Sequence, residues 1–306
     1  MELILSGEKM DIQITEALYS DYAAARCDSL QLFLNDENRE IRKMYEMRKG
    51  TALQLDTDEI STGEMYISEL SYLGAAIYVK ALSMPCRCFK ERTFYRSKLS
   101  FEEMVKEIQA ETGLKLKMID TLDYFYIDIT RTKENPIKYL NSRLQLEGFQ
   151  LKIKDNTLIV YDERKQEEKE AVVTYSEADF VREPRYTTKD AHLVSTIENM
   201  YKPQEGRIIH SIVSSGLEGK NLQTNIAVSS ISESERITKS IMREANKYEF
   251  MITGTVEGLL RRAGQVVNIE CDIPDFAGKN YIYQITHDLI GKKQDLKMRK
   301  IISGDY

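Results

Sequence analysis

A chain of 306 residues is long enough for two or three domains, and 42% hydrophobic residues give each a core to bury. The 30% of charged residues are mixed in sign, which excludes wholesale disorder. A net charge of −6 excludes a protein whose main task is gripping nucleic acid, because that task needs a basic surplus. No run approaches the ~20 apolar residues of a membrane span. The longest candidate, 70–84, is interrupted by Ser71, Gly74, Lys80 and Ser83. The start, MELILSGEKMDI, lacks the basic residues of a secretory signal, so folding in a cytoplasm is the expectation.

The first stretch reads as β structure. Met10, Ile12 and Ile14 alternate with polar residues at the period of a half-buried strand. Residues 30–34, 51–56, 65–73 and 75–82 are further strands, punctuated by Gly50, Gly63, Gly74 and Pro85. Residues 35–49 are dense in charge and read as a turn or a solvated helix.

The pattern changes at Leu99. Ser100-x-x-Glu103 is a capping box, Phe101, Met104, Val105 and Ile108 recur at helical spacing, and Gly113 closes the helix. Strands are expected at 114–119 and 124–129. A second helix begins at Pro136, carries Ile137, Leu140 and Leu144 on one face, and ends at Gly148. A hairpin runs from Phe149 through Asp155-Asn156 to Tyr161. Residues 98–162 therefore form a compact α+β unit. The run DERKQEEKE at 162–170 reads as a linker or exposed turn.

Strands resume at 171–175, 178–181 and 208–213, while 185–192 shows no periodicity. Ser232-x-x-Glu235 is a second capping box, opening a helix over 232–248 with Ile237, Ile241, Ala245 and Tyr248 on one side. Strands at 250–256, 264–269, 281–289 and 293–302 complete a hairpin-rich, barrel-like end.

Catalytic constellations are largely missing. There is no phosphate-binding loop, dinucleotide fingerprint, nucleophile elbow or zinc-protease helix. Cys271 and His287 fall in one expected sheet and make a formal nucleophile–base pair, against the plain reading of a packed histidine. Glu249, Glu257 and Asp272 could pair as glycosidase carboxylates, but 49 acids make chance neighbours inevitable. Cys86-Arg-Cys88 lacks the second close pair that a metal site needs, so these two, Cys27 and Cys271 read as reduced thiols. No catalytic, cofactor-binding or metal-binding residue is assigned. The 18 tyrosines, without a single tryptophan, sit mostly in alternating strands. That placement favours sheet packing and subunit interfaces over base stacking.

The C-terminal third carries a recognisable order. A helix and strand lead to Gly254-Thr-Val-Glu-Gly258, then to Leu260-Arg-Arg-Ala-Gly264-Gln-Val-Val-Asn-Ile269, and an acidic-aromatic turn precedes Tyr281-Ile-Tyr-Gln-Ile-Thr-His287. This order resembles the phage late control protein D family, the tail (baseplate) hub proteins of contractile phages, themselves similar to the N-terminal hub part of VgrG spikes. The helix ending in Thr112-Gly113-Leu114, and the helix and hairpin over 137–161, resemble the middle of that family. The resemblance spans about 95–306; the first 95 residues match only in β character.

The resemblance implies a mainly β fold of two tube-like β-barrel domains with an inserted α+β domain. On that template, 1–97 and 163–188 form the first barrel, 98–162 the insertion, and 189–306 the second barrel with helix 232–248. It further implies a homotrimeric ring that adapts a six-fold tail tube to a three-fold spike in a contractile phage tail, tailocin or injection particle. Implied partners are the tail tube protein, the spike protein and baseplate wedge or tape-measure proteins, without membrane or specific nucleic-acid binding. The particle would assemble in the bacterial cytoplasm, with needle and lysozyme functions on separate chains. A hub or fibre-attachment protein of a non-contractile tail, and a particle-borne cell-wall hydrolase, are the alternatives.

Overall fold

A computed structural model describes residues 1–203, 206–302 and 304. The N-terminal part contributes β1 (Glu2–Leu5), β2 (Glu8–Met10), β3 (Ile14–Tyr22), β4 (Ser29–Asn35), the single-turn α1 (Ile41–Met44), β5 (Ala52–Asp56), β6 (Met65–Leu73) and β7 (Ala76–Leu82). The middle contributes β8 (Arg92–Ser100), α2 (Phe101–Thr112), β9 (Lys115–Ile119), β10 (Phe125–Glu134), α3 (Pro136–Glu147), β11 (Phe149–Lys154), β12 (Thr157–Asp162) and the short α4 (Glu163–Glu167). The remainder holds β13 (Thr174–Ser176), β14 (Arg185–Thr188), β15 (Val194–Tyr201), β16 (Ile209–Ser214), β17 (Lys220–Thr224), α5 (Ile231–Asn246), β18 (Phe250–Glu257), β19 (Val266–Glu270), β20 (Gly278–Asp288) and β21 (Lys293–Lys300). The fold is mainly β with an α+β unit, as the sequence implies.

Among the described residues, one 13-stranded sheet carries both halves of the chain. Its path runs β14-β18-β21-β20-β3-β4-β7-β6-β5-β1-β2, with β19 branching from β20 and pairing β13. The halves join where β3 lies antiparallel to β20, from Leu18 opposite Asp288 to Tyr22 opposite Gln284. Alternation works as period two demands: in β4 and β7, Leu30, Leu32, Leu34, Ile77, Val79 and Ala81 all turn inward. Two apolar cores result. One gathers β1–β7 residues with Leu259 and Leu289. The other gathers Tyr175, Phe180, Ile252, Val267, Ile282, Leu296 and their neighbours.

The α+β unit folds around its own core. Its sheet, β11-β12-β9, packs under α2 and α3, with Phe101, Leu140, Leu144, Leu158 and Val160 at or near zero exposure. The caps are those the sequence announces. Ser100 and Glu103 close the capping box of α2, Asn135 Oδ1 accepts from the amides of Ile137 and Lys138 at α3, and Gly113 and Gly148 end both helices in left-handed conformation. Asp155 and Asn156 both take positive φ, which a two-residue turn between twisted strands requires.

Three expectations are corrected. Residues 163–188 do not pair with the N-terminal strands: β13 runs parallel to β19, β14 runs antiparallel to β18, and Tyr175 and Phe180 fill the C-terminal core. Burial of Tyr175 and Phe180 against Ile252, Val267 and Ile269 accounts for this. The stretch 194–224 does not extend the C-terminal strands; it forms a separate three-stranded sheet, β16-β15-β17, backed by α5, which also packs on α3. Finally, α5 is capped two residues earlier than expected. Ser230 Oγ accepts from the Glu233 amide, and the Glu233 carboxylate accepts from the Ser229 amide and hydroxyl.

Candidate functional site

The richest polar chemistry lies in the seams between the α+β unit and the long sheet. At the first seam, β11 carries Lys152 against β3. Its Nζ donates to the Tyr22 carbonyl at 2.6 Å, pairs with the Asp21 carboxylate, and lies 3.6 Å from Asp28 Oδ2. Asp28 sits just ahead of β4. It accepts from the Tyr19 hydroxyl at 2.8 Å and the Tyr22 amide at 2.9 Å, while its own amide donates to Ser83 Oγ. Asp21 Oδ2 accepts from the Ala263 amide at 2.9 Å. Both aspartates are 1% exposed.

Charge and burial divide the two carboxyls. Burial pushes the Asp28 carboxyl up to about 6, further helped by the Asp21 charge against the opposing pull of Lys152. Burial acts the same way on Asp21, but Lys152, Lys154 and the hydrogen bonds from Lys152 and Ala263 prevail and hold it below its ordinary value. His287, on β20, stacks on Tyr19 at 5.4 Å between ring centroids, and its Nδ1 faces Gln294 Nε2 at 2.9 Å. Burial lowers its imidazole to about 4, so it is neutral.

The second seam is built by α4, the stretch expected to be a linker. Glu163 and Glu167 are 4% and 3% exposed. Glu163 meets Lys247 at 3.0 Å and Arg299 at 3.1 Å; Glu167 pairs with Arg299 and Arg243. Lys247 also pairs with Glu244 at 2.6 Å, and Gln150 bridges Glu244 and Glu163. Burial would raise the Glu163 carboxyl, yet Arg299 and Lys247 bring it down to about 2. One turn of α4 places Glu163 and Glu167 on one face, aimed at α5 and β21. The linker expectation is therefore corrected: two acids of this charge run, Glu163 and Glu167, form a buried joint.

The sequence candidates for chemistry do not converge. The β19–β20 register sets Ile269 opposite Gly278, so Cys271 lies past one end of β20 while His287 is nine residues along it, about 30 Å at ~3.3 Å per residue. Cys271 Sγ instead contacts the Ile273 carbonyl. Glu249 and Glu257 flank opposite ends of β18, and Asp272 follows Cys271. Cys86 is exposed and Cys88 buried on one 3₁₀ turn, Cys27 is partly buried, and no group of three metal-ligating side chains forms among the described residues. His192 and His210 are separate from His287; His210 pairs with Glu198 at 2.8 Å on the small sheet.

Sequence reasoning missed both seams. The available signal was the pair of acids four apart in a charge run beside Tyr161, and Lys152 and Lys154 on the hairpin strand whose other face is apolar.

Solved structures share this fold. The prophage MuSo2 43 kDa tail protein from Shewanella oneidensis superposes with a TM-score of 0.77 at 14% identity, over 97% of each chain. The tail protein from Neisseria meningitidis MC58 gives 0.75 at 11% identity, covering 98% of this chain and 95% of that one. The Escherichia coli c3393 protein, a type VI secretion component described as similar to phage T4 tail proteins gp27 and gp5, gives 0.64 at 9% identity, over 99% and 78%. No protein-family model matches the sequence, and no curated protein does either.

Proposed function

We propose that this chain is a structural hub subunit of a phage-tail-like particle, three copies of which close a ring between a six-fold tail tube and a three-fold spike. The fold shared with tail proteins supports a place in such a particle. The observation that carries the ring is the β3–β20 pairing. It fuses an N-terminal and a C-terminal set of strands into one sheet within each subunit and leaves β2 and β14 as the ends of its path. Two tube-like units per chain then occupy two of six positions, and three head-to-tail copies close the circle. Main-chain hydrogen bonds across subunit edges would extend the sheet as β3 and β20 do inside one chain.

On this reading the hub makes and breaks no substrate bond; it passes force and converts symmetry. The α+β unit lies outside the ring, and the tube and spike proteins contact opposite faces. Subunit counting in the assembled particle by cryo-electron microscopy tests the proposal. Three copies are expected; six copies per tail, or one, would refute the symmetry adaptor.

A further inference from the structure

The first seam holds more than an ion cluster. Lys152 of the α+β unit and Asp21 of the long sheet touch at a mostly buried contact, with the Asp28 carboxyl beside them. We infer that Lys152 and Asp21 condense into a side-chain amide, an isopeptide cross-link, with Asp28 as the proton carrier.

Four features converge. Nucleophile and electrophile are held in contact by two rigid strands, the arrangement in which a bimolecular step gains most from proximity. The groups are desolvated: the Lys152 side chain is 14% exposed and both aspartates 1%. The pair rests in its charged form, because, against burial, Lys152 holds Asp21 below its ordinary value and the two aspartates raise Lys152, so the reaction starts with a proton moved across the direct contact. A second carboxyl stands 3.6 Å from Nζ, fixed by the Tyr19 hydroxyl and the Tyr22 amide, ready to relay a proton. Last, the Ala263 amide donates to Asp21 Oδ2, where negative charge develops when the carboxyl carbon becomes tetrahedral. The elevated Asp28 carboxyl agrees with a group that can hold a proton near neutrality.

The step balances without a co-reactant. One proton passes from the Lys152 ammonium to Asp21, leaving an amine and a carboxylic acid. The Nζ lone pair attacks Asp21 Cγ. The nitrogen gives a proton to Asp28, and Asp28 returns it to the departing Oδ1 hydroxyl. The C–O bond breaks, water leaves, and Asp28 ends in its starting state.

The second seam is the built-in contrast. Lys247 touches Glu163 there, but the guanidinium of Arg299 also occupies that carboxylate and stands where a reacting carboxyl would need freedom to change shape. No arginine pairs with Asp21 or Asp28 among the ion pairs of the described residues.

Intact mass spectrometry of the purified, folded full chain tests the inference. The expected mass is one water below the sequence mass, and a tryptic digest should yield one branched peptide joining Asp21 to Lys152. Lys152→Arg and Asp28→Asn should restore the sequence mass, while Asp21→Asn should lose ammonia in place of water. Wild-type protein at its full sequence mass, or a branch at Lys247, overturns the inference and leaves Lys152, Asp21 and Asp28 as a resting ion cluster. The wild-type mass decides the matter even where a variant fails to fold.

Discussion

Replacing Arg299 by Met removes a fully buried guanidinium that touches both Glu163 and Glu167. Methionine fills most of the stem, so the loss is chiefly electrostatic. Two buried carboxylates are left with only Lys247 and Arg243. Taking one member from a buried ion cluster costs about 3–5 kcal/mol. A second route gives a similar figure. The Glu163 carboxyl sits at about 2 against an ordinary 4.5, with Arg299 the foremost charge holding it there against burial. That difference, at ~1.4 kcal/mol per unit, is about 3 kcal/mol at neutral pH. Because the folded-state value is depressed, this stability is present above pH 4.5 and drains away as pH falls toward 2. Urea unfolding followed by circular dichroism should therefore show the variant about 1 M lower in midpoint at pH 7, for a slope of ~3 kcal/mol per M. The gap should narrow between pH 4.5 and pH 2. The double variant Arg299→Met/Glu167→Gln should recover part of the loss, because neighbours in one network do not add. A cost under about 1 kcal/mol, or a gap independent of pH, would mean that water reaches the cluster and the reasoning fails.

His287 supplies a signature of the same sign at higher pH. Its folded value of about 4 lies below the ordinary 6.5, so its neutral form belongs to the folded state and stability is lost as pH falls from 6.5 toward 4, by up to about 3 kcal/mol. His287→Phe keeps a ring on Tyr19 and should flatten stability across that window; an unchanged slope would assign the titration elsewhere. Limited trypsin digestion should spare Arg164 and Lys165, held in the helical turn that Glu163 and Glu167 anchor, and open the chain first at the exposed Lys169. First cuts at Arg164 or Lys165, read by mass spectrometry of the fragments, would show that the α4 joint is loose.

Much of the fold was legible because local rules and burial agree. The Ser100 box, Pro136, Gly113, Gly148 and the Asp155-Asn156 turn each mark a boundary that the structure keeps. The strand that joins the two halves was not legible. β3 breaks the binary pattern twice, once at the irregularity between Ile14 and Glu16 and again where Asp21, not an apolar residue, faces inward. β15 fails for the same reason, with a bulge between Val194 and Thr196 and Asn199 fully buried. The 163–167 run failed differently. Its composition is that of a solvated face, and only partners more than seventy residues away, Arg243, Lys247 and Arg299, make it an interior one.

These failures share a cause that bears on how the chain works. The α+β unit closes its own apolar core, whereas its joints to the long sheet are made by buried charges at fixed register. An apolar seam tolerates sliding, because methyl groups are interchangeable at little cost. A seam of Lys152 with Asp21, or Arg299 with Glu163 and Glu167, has one geometry in which every charge is answered, and a shift of a single residue leaves an ion unpaired in the interior at a cost of several kcal/mol. Such joints specify orientation more than they add stability. In the proposed ring that property would hold the α+β unit at a set angle to the long sheet, and a covalent Lys152–Asp21 link would make the first of the two joints permanent.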